Sequence, residues 1–131
     1  MKVQFFDRQD AANSLNGMSI TSLSEFHSAL ESARGRPPFF TELIGDNGFK
    51  LLLGIGGEEG CAQFSSVDGT APYLMAVSLD KGEEGEQVFL IDDIASPVPK
   101  RYCLPNNIIE DIAATFLQTG QRRSDVPWEE I

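Results

Sequence analysis

Two spacings of hydrophobic residue divide this chain. In "SLSEFHSALESAR" Leu23, Phe26, Leu30 and Ala33 recur at helical intervals, and Ser22 with Glu25 makes a capping box ahead of them. Gly35 and Pro37-Pro38 stop the run, so a helix is predicted over 22–34. A second apolar stripe, Ile108, Ile109, Ile112, Ala113, Phe116 and Leu117, predicts a helix over 107–119 that is broad enough to cover one face of a sheet. Asn107 is its expected N-cap, Glu110-Asp111 complement the helix dipole, and Gly120 is the expected stop. Between the two helices the pattern changes to short β-rich runs: 39–44, 48–55, 61–67, 72–79, 87–91 and a weaker 99–104. The stretches that separate them, "GDNG", "GGEEG", "DGTA", "DKGEEGE" and "DDIASPV", have turn composition. Residues 3–6 make one further short strand.

Short connections of this kind favour antiparallel pairing over βαβ crossovers. The expected architecture is therefore α+β: an antiparallel β-meander of five to six strands packed with two helices, as a two-layer single domain over 1–131. A chain of this length buries a sufficient core without disulfide or metal staples. In such a meander, alternate turns share an end. Glu58, Glu59, Glu83, Glu84 and Glu86 are expected at one end of the sheet, and Asp46, Asp68, Asp92 and Asp93 at the other.

Charge narrows the function. Ten basic residues against 20 acidic ones give a net charge of −10. Direct nucleic-acid binding needs a basic face to displace phosphate counterions, so it is not expected. An acidic domain instead attracts the basic proteins that bind nucleic acid. Acidic turns also serve simply as solvated hairpin ends. No apolar stretch has the length of a signal peptide or a bilayer span, so residence in the cytoplasm without membrane attachment is expected, with Cys61 and Cys103 as reduced thiols.

Catalytic motifs fail on context. "LGIGGEEG" is rich in glycine, but it lacks the Lys and Ser/Thr of a phosphate loop, and its two glutamates repel phosphate. It reads as a glycine-rich hairpin. His27, the only histidine, borders the first helix's apolar stripe with no partner for a metal site, and reads as half-buried and structural. Neither cysteine has a base at motif spacing. Paired acids such as Asp92-Asp93 and Glu83-Glu84 sit in turns as sequence neighbours, which suits solvation better than a preorganised site. No catalytic residue, metal ligand or cofactor is assigned.

The closing "FLQTGQRRSDVPWEEI" holds the only Trp, three residues from the end. Arg122 and Arg123 stand where cations complement a helix's carbonyl end, and Ser124 to Pro127 make a turn that folds Trp128 back as an aromatic lid. The set Phe116, Gly120, Arg122, Val126 and Trp128, read as Phe-Leu-x-Thr-Gly-x-Arg, a spacer, then Val-Pro-Trp, resembles the ending of the immunity protein Imm family one of bacterial polymorphic-toxin systems. The segment Pro72 to Ala76 followed by an acidic turn is similar to that family's middle, and Arg123 stands where relatives often carry Pro. The resemblance implies an α+β antitoxin for interbacterial competition, which binds a cognate toxin domain one to one and occludes it without chemistry. Toxins paired with this family include nucleic-acid deaminases and nucleases. Partner-contacting candidates are Glu58, Glu59, Tyr73, Glu83, Glu84, Glu86, Asp92 and Asp93. The residues leave two other readings open: a small hydrolase or metal- or ligand-binding domain using its carboxylates, and a nucleic-acid mimic that inhibits a host DNA-binding protein.

Overall fold

The structure is a computed structural model, which describes residues 1–79 and 84–131. Its strands are β1 (Val3–Asp7), β2 (Ser19–Ile20), β3 (Phe39–Gly45), β4 (Phe49–Ile55), β5 (Glu59–Ser66), β6 (Leu74–Ala76), β7 (Glu86–Ile91), β8 (Ile94–Pro99), β9 (Leu104–Pro105) and β10 (Trp128–Glu130). The helices are α1 (Leu23–Ala29) and α2 (Asn106–Thr119), with short 3-10 turns at Glu31–Ala33 and Lys100–Tyr102. The α+β class, the antiparallel sheet and the two helices agree with the sequence reading. The strand inventory is larger than the five to six expected.

The main path of the sheet runs β10-β6-β5-β4-β3-β1-β2. Strands β3, β4 and β5 form a true meander, with Leu43 opposite Leu51 and Leu51 opposite Phe64. Because side chains alternate along a strand, Leu43, Leu51, Leu53, Ala62 and Phe64 share one face. There they meet Phe26 and Ala29 of α1 and Ile109, Ile112, Ala113, Phe116 and Leu117 of α2 in the principal core. Phe64 is a hub of that core: its ring lies 4.9 Å from Phe49, 6.3 Å from Phe116 and 6.4 Å from Trp128.

The other face carries a second core. Phe40, Cys61 and Met75 of the sheet pack with Phe89, Val98 and Cys103. Phe89 and Val98 belong to the β7–β8 hairpin, which lies on this face rather than continuing the meander after β6. Strand β7 touches the main sheet through one parallel pair, Phe39 with Leu90, and the Leu90 N–H donates to the Pro38 carbonyl at 2.8 Å. Gly54 admits this layer. A Cβ there would lie 2.6 Å from the Cys61 Sγ and 2.8 Å from two ring carbons of Phe89.

Several local expectations change. The segment "DDIASPV", read as a turn, is a two-residue loop followed by strand β8. Asp92 and Asp93 take φ values of 50° and 63°, the left-handed pair that closes a tight hairpin. The expected strand over 72–79 shortens to β6, and the weak 99–104 run becomes the end of β8, a 3-10 turn and β9. The first helix ends at Ala29, and Glu31–Ala33 is a separate 3-10 turn. Ser22 accepts from the Glu25 N–H at 3.1 Å, while Glu25 reaches the Thr21 N–H at 2.9 Å, one residue earlier than in a capping box. Helix α2 begins at Asn106, and its capping position is Pro105, which supplies no side-chain bond.

The tail is structural, as expected, but by different contacts. Gly120 adopts φ 70°, and its N–H donates to the Phe116 carbonyl at 2.7 Å. The two arginines do not cap carbonyls. Arg122 lies over the Phe64 ring at 5.5 Å, and Arg123 pairs with Asp125 at 2.6 Å. Trp128 starts a strand, opposite Ala76 of β6, and its indole N–H donates to the Arg123 carbonyl at 3.0 Å. Val126 is buried in the principal core.

Candidate partner-binding site

Asn106 holds the β4–β5 turn in place. Its side-chain amide donates to the Gly57 carbonyl at 2.9 Å and the Glu58 carbonyl at 3.2 Å. This leaves the Glu58 side chain exposed and places Glu59 at the first position of β5. The Gln87 amide donates to the Glu59 carbonyl at 3.0 Å, which tethers the start of β7 to the same turn. Lys100 stands 4.0 Å from the Glu59 carboxylate, and its N–H donates to the Gly85 carbonyl at 3.0 Å. Glu58, Glu59, Glu84 and Glu86 therefore gather at one end of the sheet, as expected. Glu83 lies outside the described residues.

The Asp92-Asp93 turn is not at the far end with Asp46 and Asp68. The Asp92 N–H donates to the Arg8 carbonyl at 2.8 Å, and Asp93 exchanges two bonds with the Gln9 amide, at 2.6 and 2.9 Å. Arg8 and Gln9 follow β1, whose Asp7 end lies opposite Thr41, near the start of β3. This end of the sheet is also the end of the β4–β5 turn, because Phe39 pairs with Ile55. The displacement follows from the hairpin: β7 crosses the end of the sheet instead of extending it, so both of its ends lie on the acidic side. Tyr73 is the reverse case. It precedes β6 at the Ser66 end of β5, and its hydroxyl donates to the Gly69 carbonyl. It stands opposite Ser65, six residue steps along β5 and roughly 20 Å from Glu59, apart from the acidic turns.

A polar network fixes the Gln9 loop to which the hairpin tip is tied. The buried Asp7 carboxylate accepts from the Gln9 and Asp10 N–H groups at 3.0 and 3.1 Å and from the Asn13 amide at 3.0 Å, with Arg36 at 2.9 Å. Burial works to raise the Asp7 pKa, but the bonds from Asn13, Arg36 and Asp10 and the Arg36 charge together hold it below the ordinary value. Glu42, also buried, pairs with Arg8 at 2.6 Å. Asn106, Gln87 and Gln9 thus position the acidic turns, and nothing in their local sequence context announces that role.

A cleft of about 620 Å3 lies between α1 and the start of α2, floored by Phe26, Leu30, Phe39 and Ile109. His27 stands at its rim, exposed rather than half-buried, 3.0 Å from Glu110 across the two helices. Among the described residues no group of three or more His, Cys, Asp or Glu side chains is placed to hold a metal ion. Cys61 and Cys103 are buried and not joined in a disulfide, and burial pushes the Cys61 thiol up to about 12. Among the described residues no helix is long and apolar enough to cross a membrane.

A search of curated proteins gave no match. The family profile described as Immunity protein Imm1 matches residues 8–130, nearly the whole chain, including every element from α1 to β10 and the tail motif. The chain belongs to the Imm1 immunity protein family, whose members bind a cognate toxin protein.

Proposed function

We propose that this immunity protein neutralises a nucleic-acid-targeting toxin, a deaminase or a nuclease, by binding its basic cleft one to one and excluding the substrate. The observation that supports this reading is the gathering of three acidic turns, Glu58-Glu59, Glu84 to Glu86 and Asp92-Asp93, on one side of the sheet. A toxin that grips phosphates presents the opposite charge, and complementary fields raise association rates and select partners. The net charge of −10 disfavours contact with nucleic acid itself. The chain acts as a single domain, without chemistry or cofactor, in the cytoplasm of the cell it protects.

The test is an inhibition titration with the C-terminal toxin domain encoded beside this chain, using a nucleic-acid substrate. Toxin activity falls to zero at one equivalent, and light scattering gives the mass of a heterodimer. Lysine at Glu58, Glu59, Glu84, Glu86, Asp92 and Asp93 together abolishes inhibition. A toxin that remains active beside excess immunity protein removes the reading.

A further inference from the structure

The β7–β8 hairpin has two faces, and among the described residues one of them packs into a core. Phe89 and Val98 point inward, into the second core. The cross-strand pair Val88 with Pro97 lies on the opposite side of the ribbon, as does Leu90 with Ala95. Val88 is 46% exposed, whereas Ile94, paired with Ile91, stands on the Phe89 side of the ribbon. Ala95, Pro97 and Pro99 are exposed as well. Register makes these side chains neighbours, so they form one apolar strip rather than scattered surface hydrophobes.

Acid brackets the strip at both ends. Glu84 and Glu86 stand where β7 begins, and Asp92 and Asp93 stand where it turns into β8. The six residues of β7 separate the two groups by roughly 17 to 20 Å. Among the described residues β8 pairs only with β7, and its other edge argues against strand addition, because Pro97 and Pro99 have no N–H to donate. Contact through the face of the ribbon remains, with an apolar centre and a charged rim, the arrangement of a protein interface.

The geometry points to the outer face of the β7–β8 hairpin as the surface that seats on the toxin, with Val88, Ala95 and Pro97 as its buried centre and Glu84, Glu86, Asp92 and Asp93 as its rim. The inference rests on the toxin-occlusion reading above. Its occupant is a protein surface with an apolar or aromatic floor between two basic margins. Seating Phe89 beneath Val88 makes the ribbon a rigid platform, which reduces the ordering cost of association.

The experiment measures affinity between the full chain and the toxin domain encoded beside it, by titration calorimetry. Val88→Lys with Ala95→Lys places two cations in the centre of the face without touching Phe89. Asp46→Lys with Asp68→Lys changes charge equally at the far end of the sheet. Thermal melts confirm that both variants fold. The hairpin variant weakens binding by about 100-fold or more, and the far-end variant by only a few-fold. Equal affinity of the hairpin variant and the unaltered chain overturns the hairpin surface while the immunity reading stands. Failure of the unaltered chain to bind the toxin overturns both. If the double lysine variant does not fold, Val88→Ser with Pro97→Ser provides the same comparison with a smaller expected loss, about 10-fold, and no loss overturns the proposal.

Discussion

Adding a methyl group at Gly54 tests whether the hairpin rests on the sheet. Gly54 lies in extended β4, where alanine meets no backbone strain. Its new Cβ would lie 2.6 Å from the Cys61 Sγ and 2.8 Å from the Cδ1 and Cε1 atoms of Phe89. Neither neighbour has free space, since Cys61 is 1% and Phe89 0% exposed and the Phe89 ring packs 5.4 Å from Phe40. Overpacking of this kind costs about 1–3 kcal/mol, and two close contacts put Gly54→Ala near 2 kcal/mol. Phe89→Ala removes a fully buried ring and costs about 3–5 kcal/mol. In the double variant the methyl enters the vacated ring space, so the combined loss falls short of the sum by about 1–2 kcal/mol. An unfolding entropy of about 2.1 cal/mol/K per residue gives roughly 0.28 kcal/mol/K for this chain, so 2 kcal/mol is about 7 °C in melting temperature. Urea titration followed by the fluorescence of Trp128 measures all four stabilities. Costs that add to within about 0.5 kcal/mol, or a Gly54→Ala variant as stable as the parent, would refute the seating of Phe89 on Gly54.

Trp128→Ala removes the bond to the Arg123 carbonyl and the edge contact with Phe64, and lowers stability by about 2–3 kcal/mol in a thermal melt. Toxin affinity at a temperature where the variant is folded stays within a few-fold of the parent's. The depressed Asp7 pKa gives a stability contribution that is complete above the unfolded value near 3.9 and is lost as pH falls through the lower folded value. Asp7→Asn costs about 2–3 kcal/mol near neutral pH by unpairing Arg36, and its stability declines less steeply than the parent's below about pH 4. Equal slopes would remove the Asp7 contribution. Cys61, raised to about 12 and buried, does not react with a thiol reagent at mildly alkaline pH until the protein is unfolded, and rapid labelling of the native protein would contradict its burial.

The parts of the fold that local periodicity specifies were legible. Leu51, Leu53 and Phe64 alternate along their strands, and Ile109, Ile112 and Phe116 recur along α2, so meander and helix follow from spacing alone. The tail motif carried the family as well as the fold. The hairpin was hidden because Pro97 and Pro99 suppress a strand reading, whereas in the structure β8 pairs, among the described residues, with β7 alone. Missing β8 also misplaced Asp92 and Asp93, since counting alternate turns assumes that every strand joins its predecessor. Strand β10 was illegible for a different reason: three residues carry no period, and only pairing with β6 makes Trp128 to Glu130 extended. The side-chain amides that aim the acidic turns, on Gln9, Gln87 and Asn106, bond to partners at least 28 positions away in sequence, beyond the reach of any local pattern.

The central claim is that the acidic side of this molecule covers a toxin's nucleic-acid cleft. The most direct measurement titrates the purified chain into the toxin domain encoded beside it, while substrate turnover is followed at low and at high salt. The expected result is complete inhibition at one equivalent, with an affinity that weakens as salt rises and is lost when the acidic turns are reversed to lysine. Undiminished turnover at excess immunity protein, or inhibition indifferent to both salt and charge reversal, would contradict it.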